Sequence, residues 1–286
     1  MESNRSALIM EGGAMRGMFT CGVIDVLMEN HIDFDGAAGI SAGAVFGCNF
    51  KSRQIGRPIR YNKTFSRDPR YASFRSLLKT GDYFGAKFCY ETLPFELDLF
   101  DTKTFAENPL AFYVGATDVH TGKAVYHLCT DGKDTDLLWM RASASMPLLS
   151  HVVKVDGYEL LDGGISDSVP YAYMESLGYR RNVIVLTQPK GYRKDKGHGG
   201  FLFDLGLRKY PAVAKAMKER YAMYNRQMDE IDARQSRGES IVIRPPQDLG
   251  IGRTEKDPEE LERIYQIGRQ ETEKKLQEIR AFLKEK

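Results

Sequence analysis

The sequence predicts an α/β fold in which a mainly parallel sheet is covered by helices on both faces. Two strand, glycine-turn, helix units fall within about forty residues near the start, apolar strands alternate with helical stretches further on, and no linker divides the chain. Ala7 to Met10 is a short apolar run and Glu11 to Ala14 a turn. Arg16 to Asn30 then carries Met18, Phe19, Val23, Val26 and Leu27 at helical spacing. In the second unit Phe34 to Ile40 feeds Ser41, and Ala42 to Cys48 reads as a buried helix start built of small residues.

Arg57 to Phe105 is aromatic and charged with weak periodicity, which suits short packed helices or a wall over a pocket. Leu110 to Thr117 and Lys123 to Leu128 are strands joined at Thr121 and Gly122, and Thr135 to Ser145 is a helix stopped before Pro147. Asp156-Gly157 between Val152–Val155 and Tyr158–Leu161 signals a hairpin. Asp162-Gly163-Gly164 leads to a helix over Pro170 to Leu177, and Val183 to Leu186 is a fully apolar strand. Beyond the basic loop Tyr192 to Gly200, helical sequence runs to Arg234, a strand covers Ile241 to Ile243, and a charged helix runs from Pro258 to the end. Residues 1–286 read as one domain whose C-terminal portion, from about 201, is helical.

With 286 residues, 42% of them hydrophobic, the chain buries a core without staples. A net charge of +2, from 41 basic and 39 acidic residues, speaks against a strong electrostatic nucleic-acid binder. Cys21, Cys48, Cys89 and Cys129 are scattered and form no CxxC pair, so buried, reduced thiols are expected. No segment reaches the ~18 apolar residues of a membrane span. A cytoplasmic location is expected, with peripheral membrane contact left open. No His, Asp and Glu set has metal-ligand spacing, so no cofactor or metal is expected and activity should persist in chelator.

Gly39-Ile40-Ser41-Ala42-Gly43 fits G-x-S-x-G, where flanking glycines permit a tight strand-to-helix turn that projects a nucleophilic hydroxyl. Capping of a helix by Ser41 is the plainer role for the same residues. In the neighbouring turn, Gly12-Gly13-Ala14-Met15-Arg16-Gly17 offers backbone N–H groups at a helix start, suited to a tetrahedral oxyanion. It also resembles a dinucleotide fingerprint, with Asp33 or Asp35 as the ribose acid. Ala14, however, replaces the middle glycine of that fingerprint, and a serine elbow has no part in it.

A serine nucleophile needs a base. Of His31, His120, His127, His151 and His198, only His198 follows the candidate acids in the order of a Ser, Asp, His triad, and it sits in the glycine-rich basic loop. Asp162 follows an apolar strand, is held by Gly163 and Gly164, and gains proton affinity if partly buried. Asp35, Asp131 and Asp156 also precede glycines but have turn or connecting roles to fill.

The set resembles the patatin-like phospholipases, which combine a glycine-rich oxyanion turn ending in Arg/Lys-Gly, a G-x-S-x-G elbow and an Asp-Gly-Gly or Asp-Gly-Ala motif. Here those are Gly12 to Gly17, Gly39 to Gly43 and Asp162 to Gly164. Arg141 to Pro147 is similar to the family's stretch upstream of its aspartate. The resemblance covers about residues 7 to 170. It implies a three-layer α/β/α domain acting through a Ser41–Asp162 dyad without histidine, on carboxylic esters of lipids and through an acyl-enzyme. Ala14 departs from the family's third consecutive glycine, and a positive φ there would strain the turn. Two other outcomes stay open: a Ser41, Asp162, His198 esterase, and a non-catalytic lipid-binding protein using Lys190, Arg193, Lys194 and Lys196 near Phe201 and Phe203.

Overall fold

A computed structural model of the chain describes residues 5–196 and 206–284. Eight strands form one sheet: β1 (Arg5–Met10), β2 (Gly36–Ile40), β3 (Ala111–Asp118), β4 (Ala124–Cys129), β5 (Val153–Val155), β6 (Tyr158–Asp162), β7 (Tyr179–Val185) and β8 (Ser240–Ile243). Their order is β5-β6-β3-β2-β1-β7-β8, with β4 also paired to β3. β3, β2, β1, β7 and β8 run parallel, while β4, β5 and β6 are antiparallel additions at the β3 end. The mainly parallel sheet read from the sequence is therefore present, with a short antiparallel flank.

The central strands are apolar on both sides because both sheet faces are covered. Leu8 and Met10 of β1, Val183 and Val185 of β7, and Ile241 and Ile243 of β8 belong to one core. The alternate residues Ala7, Ile9, Ile184 and Val242 belong to another, against Tyr224, Met228 and Ile231. Those three lie on the long helix Pro211–Ser236, and the first core holds α1 (Met18–Glu29) and α2 (Ala42–Lys51). This is the three-layer arrangement.

Every residue of α1 from Met18 to Met28 is buried, Asp25 included. The helix lacks a polar face because it lies between the sheet and the C-terminal helix Pro258–Glu273. The two helices approach through glycines: a Cβ on Gly22 would stand 2.1 Å from the Tyr265 carbonyl oxygen, and one on Gly268 2.0 Å from that of Phe19. Gly268→Ala must push the backbones apart and is expected to lower stability by about 2 kcal/mol in urea unfolding; an unchanged midpoint would contradict this packing. Asp25 accepts hydrogen bonds from the Gly56 N–H (2.9 Å) and the Tyr265 hydroxyl (2.8 Å), and burial pushes its carboxyl up to about 6.

The aromatic stretch folds as Arg57–Phe65, Phe74–Thr80, a π-helical turn over Phe88–Leu97 containing Pro94, and Thr102–Glu107. Its weak periodicity has a structural cause: three short helices and one segment of different pitch share no common spacing. Edge-to-face pairs such as Phe65–Phe88 (5.5 Å) and Tyr71–Phe84 (5.9 Å) lock the pieces together. No helix among the described residues is long and apolar enough to cross a membrane.

Candidate active site

Ser41 sits between β2 and α2 with φ 53° and ψ −118°, a region that a residue with a Cβ enters only under strain. The strain falls on the serine itself. Gly39 and Gly43 serve close approach instead, since a Cβ on Gly39 would meet the Gly43 carbonyl oxygen at 2.2 Å and one on Gly43 that of Met10 at 2.3 Å. The Ser41 N–H donates to Ser143 Oγ (2.8 Å), whose hydroxyl donates to the Gly115 carbonyl (2.6 Å). The elbow is thus tied to β3 through a buried side chain.

The Ser41 hydroxyl donates to Asp162 Oδ2 at 2.8 Å. Asp162 ends β6, and its other oxygen accepts the Gly164 N–H at 2.7 Å, which fixes the carboxylate plane. The Asp162 N–H donates to the Ser145 carbonyl (2.8 Å), and Thr117 Oγ1 donates to the Asp162 carbonyl (2.8 Å). Burial raises the proton affinity of Asp162, partly offset by Arg220, by the Ser41 hydroxyl and by the Gly164 N–H. Arg220 donates from Nε to the Gly164 carbonyl.

The glycine turn lies against the elbow. A Cβ on Gly12 would be 3.0 Å from Ser41 Cβ, one on Gly13 2.6 Å from Thr187 Oγ1, and one on Gly17 2.7 Å from Ala42 Cβ. Ala14 has φ 49°, the left-handed conformation that would put its methyl group under strain. Glu11 anchors the turn from below, accepting the Thr187 N–H (2.6 Å) and hydroxyl (3.1 Å) and the Tyr224 hydroxyl (2.9 Å).

Other candidates are placed apart. His198 lies outside the described residues, as do Phe201 and Phe203. His120 pairs with Glu159 and His127 with Asp136, and no described histidine hydrogen-bonds to Ser41 or Asp162. Asp35 accepts from Ser6, Asp131 from the Lys133 N–H, and Asp156 from the Trp139 indole. In the basic loop Arg193 pairs with Asp229 and Asp232, while the Lys194 ammonium lies over the Tyr224 ring at 3.3 Å. Arg193 is thus paired, whereas Lys194 forms no ion pair with a described residue. The sequence reading found no metal-ligand set, yet His127, Cys129 and Asp136 do come within 4.8 Å of one another. Asp136 is already engaged there, by His127 and by the N–H groups of Thr130, Asp131 and Gly132.

Sequence reasoning missed Glu11, Thr117, Thr187 and Arg220, whose roles depend on chain segments far apart. Ser143 and Ser145 fall within Arg141 to Pro147, a stretch already singled out, although their hydrogen bonds were not foreseen.

Beside Ser41 opens a cavity with about 910 Å³ of empty space, including some open to solvent. Ala14, Met15 and Ser41 form part of its wall, with Phe46, Tyr61, Tyr71, Phe84 and Tyr90 among the apolar residues. The aromatic stretch therefore contributes a wall, as one of its two sequence readings had it. The arrangement presents a hydroxyl, a buried carboxylate and a glycine turn beside an apolar cavity, a setting for acyl transfer.

A family model described as patatin-like phospholipase matches residues 8–174, and another, described as a domain of unknown function (DUF6363), matches residues 210–284. The chain is 28% identical over 202 residues to the uncharacterized protein YjjU of Escherichia coli (strain K12), covering 66% of this chain and 53% of that one. It is 28% identical over 178 residues to lysophospholipase nte1 of Emericella nidulans, covering 60% of this chain and 11% of that one. The match thus spans about half the length of the first relative and about a tenth of the second. A solved structure, VipD from Legionella pneumophila, aligns with a TM-score of 0.47 at 12% identity, covering 96% of this chain and 67% of that one.

Proposed function

The chain belongs to the patatin-like phospholipase family, and from that premise we propose that it is a serine acyl hydrolase cleaving carboxylic esters of lipids through a Ser41–Asp162 dyad. The observation that carries the proposal is the 2.8 Å hydrogen bond from the Ser41 hydroxyl to a buried carboxylate, beside an apolar cavity that suits an acyl chain. Ser41 Oγ attacks the ester carbonyl as its proton passes to Asp162. Backbone N–H groups of the turn at Gly12, Gly13 and Ala14 stabilise the oxyanion, Asp162 returns the proton to the leaving alkoxide, and an acyl-enzyme remains. Water attacks the acyl carbon, giving one proton to Asp162, and the second tetrahedral intermediate collapses to the carboxylic acid and Ser41, which recovers that proton. Arg16 and Gly17 complete the turn, and Gly163 and Gly164 hold the base.

The lysophospholipase named among the relatives supports a lipid ester as substrate. A single domain is supported by β8, which follows the helix Pro211–Ser236 yet joins the same sheet beside β7. Four free cysteines agree with a reducing, cytoplasmic setting.

Turnover requires the ionised carboxylate. As pH falls, kcat/KM should decline with a midpoint above the ordinary aspartate value of about 4, because burial raises the proton affinity of Asp162. A flat profile down to pH 4 would contradict Asp162 as base. Val45 lines the cavity; Val45→Trp is expected to lower the rate on long acyl chains roughly tenfold or more while sparing short ones. Loss that is equal at all lengths would place the acyl chain elsewhere. The direct test is hydrolysis of p-nitrophenyl esters of increasing acyl length by native protein and Ser41→Ala, both verified as folded. Activity in the native protein alone supports the proposal; native protein inactive on these esters and on phospholipids overturns it.

A further inference from the structure

The cavity beside Ser41 follows α2. Ser41 stands at the start of that helix, and Ala42, Val45, Phe46 and Cys48 come after it as wall residues. Arg57 also lines the cavity, and its Nη1 donates to Asn49 Oδ1 at 3.0 Å. From the rise per residue of an α-helix, Asn49 lies about 12 Å beyond Ser41. Arg57 therefore marks the end of the cavity far from the nucleophile. It is only 4% exposed, and it donates from Nε (3.1 Å) and Nη2 (2.6 Å) to the Asp98 carbonyl. One N–H on each terminal nitrogen is left without an acceptor among the described residues. Its counter-ion is shared, since Asp98 Oδ1 stands 3.3 Å from Arg57 and 2.8 Å from Arg60.

Tyr61 lines the same cavity, with its ring centroid 5.3 Å from the Arg57 guanidinium. The hydroxyl of Tyr71, another wall residue, donates to Asn62 Oδ1 at 2.6 Å. That of Tyr61 bonds to no described residue, yet it is not sealed among protein atoms either, although the residue is only 6% exposed. Burial pushes this phenol well above its ordinary range, so it stays protonated and is a donor. Buried donors are normally paired, and a donor left unmade costs free energy that a well-placed acceptor recovers. A plain hydrocarbon chain supplies no acceptor. A carboxylate would have to give up its hydration along an apolar wall, a far larger cost than a neutral oxygen meets.

We propose that Tyr61 and Arg57 form an oxygen-binding subsite at the far end of the acyl cavity, which makes acyl chains with a distal hydroxyl group the preferred substrates. The inference rests on the acyl hydrolase reading and narrows its acyl group. With the ester carbonyl at Ser41, the hydrocarbon part of the chain lies along Val45 and Phe46, and the terminal oxygen accepts from the phenol and the guanidinium. A chain that is too short leaves its hydroxyl in the apolar stretch, unpaired. The preference should therefore peak at one chain length, where the oxygen reaches Tyr61 and Arg57.

The test reads binding and turnover on the same compounds. Methyl esters of ω-hydroxy fatty acids, in a series of increasing chain length, are paired with unsubstituted esters of equal length. Affinity is measured calorimetrically with full-length Ser41→Ala, and kcat/KM with the native protein. In a wholly apolar cavity the hydroxyl would weaken binding at every length. Here the hydroxylated ester should bind roughly tenfold or more tightly than its partner at one length. That advantage should disappear when Tyr61→Phe, which keeps the ring and removes the oxygen, is added and the variant is verified as folded. A hydroxylated ester that binds no more tightly at any length, or an advantage that survives Tyr61→Phe, overturns the subsite; the first result needs no Tyr61 variant. A binding advantage that depends on Tyr61, with no hydrolysis of any ester by native protein, would uphold the subsite and count against the acyl hydrolase reading.

Discussion

Asp162→Asn is expected to reduce ester hydrolysis by about 10⁴-fold while leaving the protein at least as stable as the native chain at pH 8. The amide keeps an oxygen for the Gly164 N–H and can donate to Ser41 Oγ, so both hydrogen bonds of the native carboxylate have replacements. It cannot accept the serine proton. The stability half follows from the upward shift: the folded state binds the Asp162 proton more tightly than the unfolded state does. Stability from this group is complete below the unfolded pKa, is lost as pH rises through the folded value, and the whole cost of the buried charge is present above it. The difference between variant and native protein should therefore shrink toward pH 4. Melting curves at both pH values, alongside rates, check this; a variant that is strongly destabilised at pH 8, or one that retains the native rate, contradicts it.

Gly43→Ala is expected to cost about 3 kcal/mol of stability and at least about 10²-fold in rate. The added methyl carbon would stand 2.3 Å from the Met10 carbonyl oxygen and 2.9 Å from that of Glu11. Both are backbone atoms, so no side-chain rotation relieves the clash. Either β1 or the start of α2 must move, and each carries part of the site: the glycine turn on one side, Ser41 on the other. Urea unfolding and kcat/KM measured together give the test, and native values in both would show that the elbow is looser than this geometry requires.

Much of this molecule was legible from residue order. The apolar runs at Ala7–Met10 and Val183–Leu186 declared strands covered on both faces, and the small residues after Ser41 declared a helix packed close to its neighbours. The three glycine motifs were visible because their backbones approach other backbone or side-chain atoms too closely for a Cβ. The physical reason differed at the elbow, where the positive φ belongs to Ser41 and the glycines make room. Less visible was everything that depends on partners distant in sequence. Nothing around Arg220 or Glu11 distinguishes a site residue from a solvated charge, since one is 56 residues from Gly164 and the other 213 from Tyr224. Within Arg57–Phe105 the wall was among the readings, but its individual elements escaped delimitation because three short helices and a π-helical turn share no common period.

The central claim, that Ser41 is a nucleophile activated by Asp162, is tested most directly by covalent capture with a fluorophosphonate that bears an alkyl chain. Intact-mass measurement followed by peptide mapping should find one adduct, on Ser41, formed rapidly in the native protein, slowly in Asp162→Asn and not at all in Ser41→Ala. An adduct on another residue, or labelling of Ser41 at the same rate with and without the Asp162 carboxylate, would contradict the dyad.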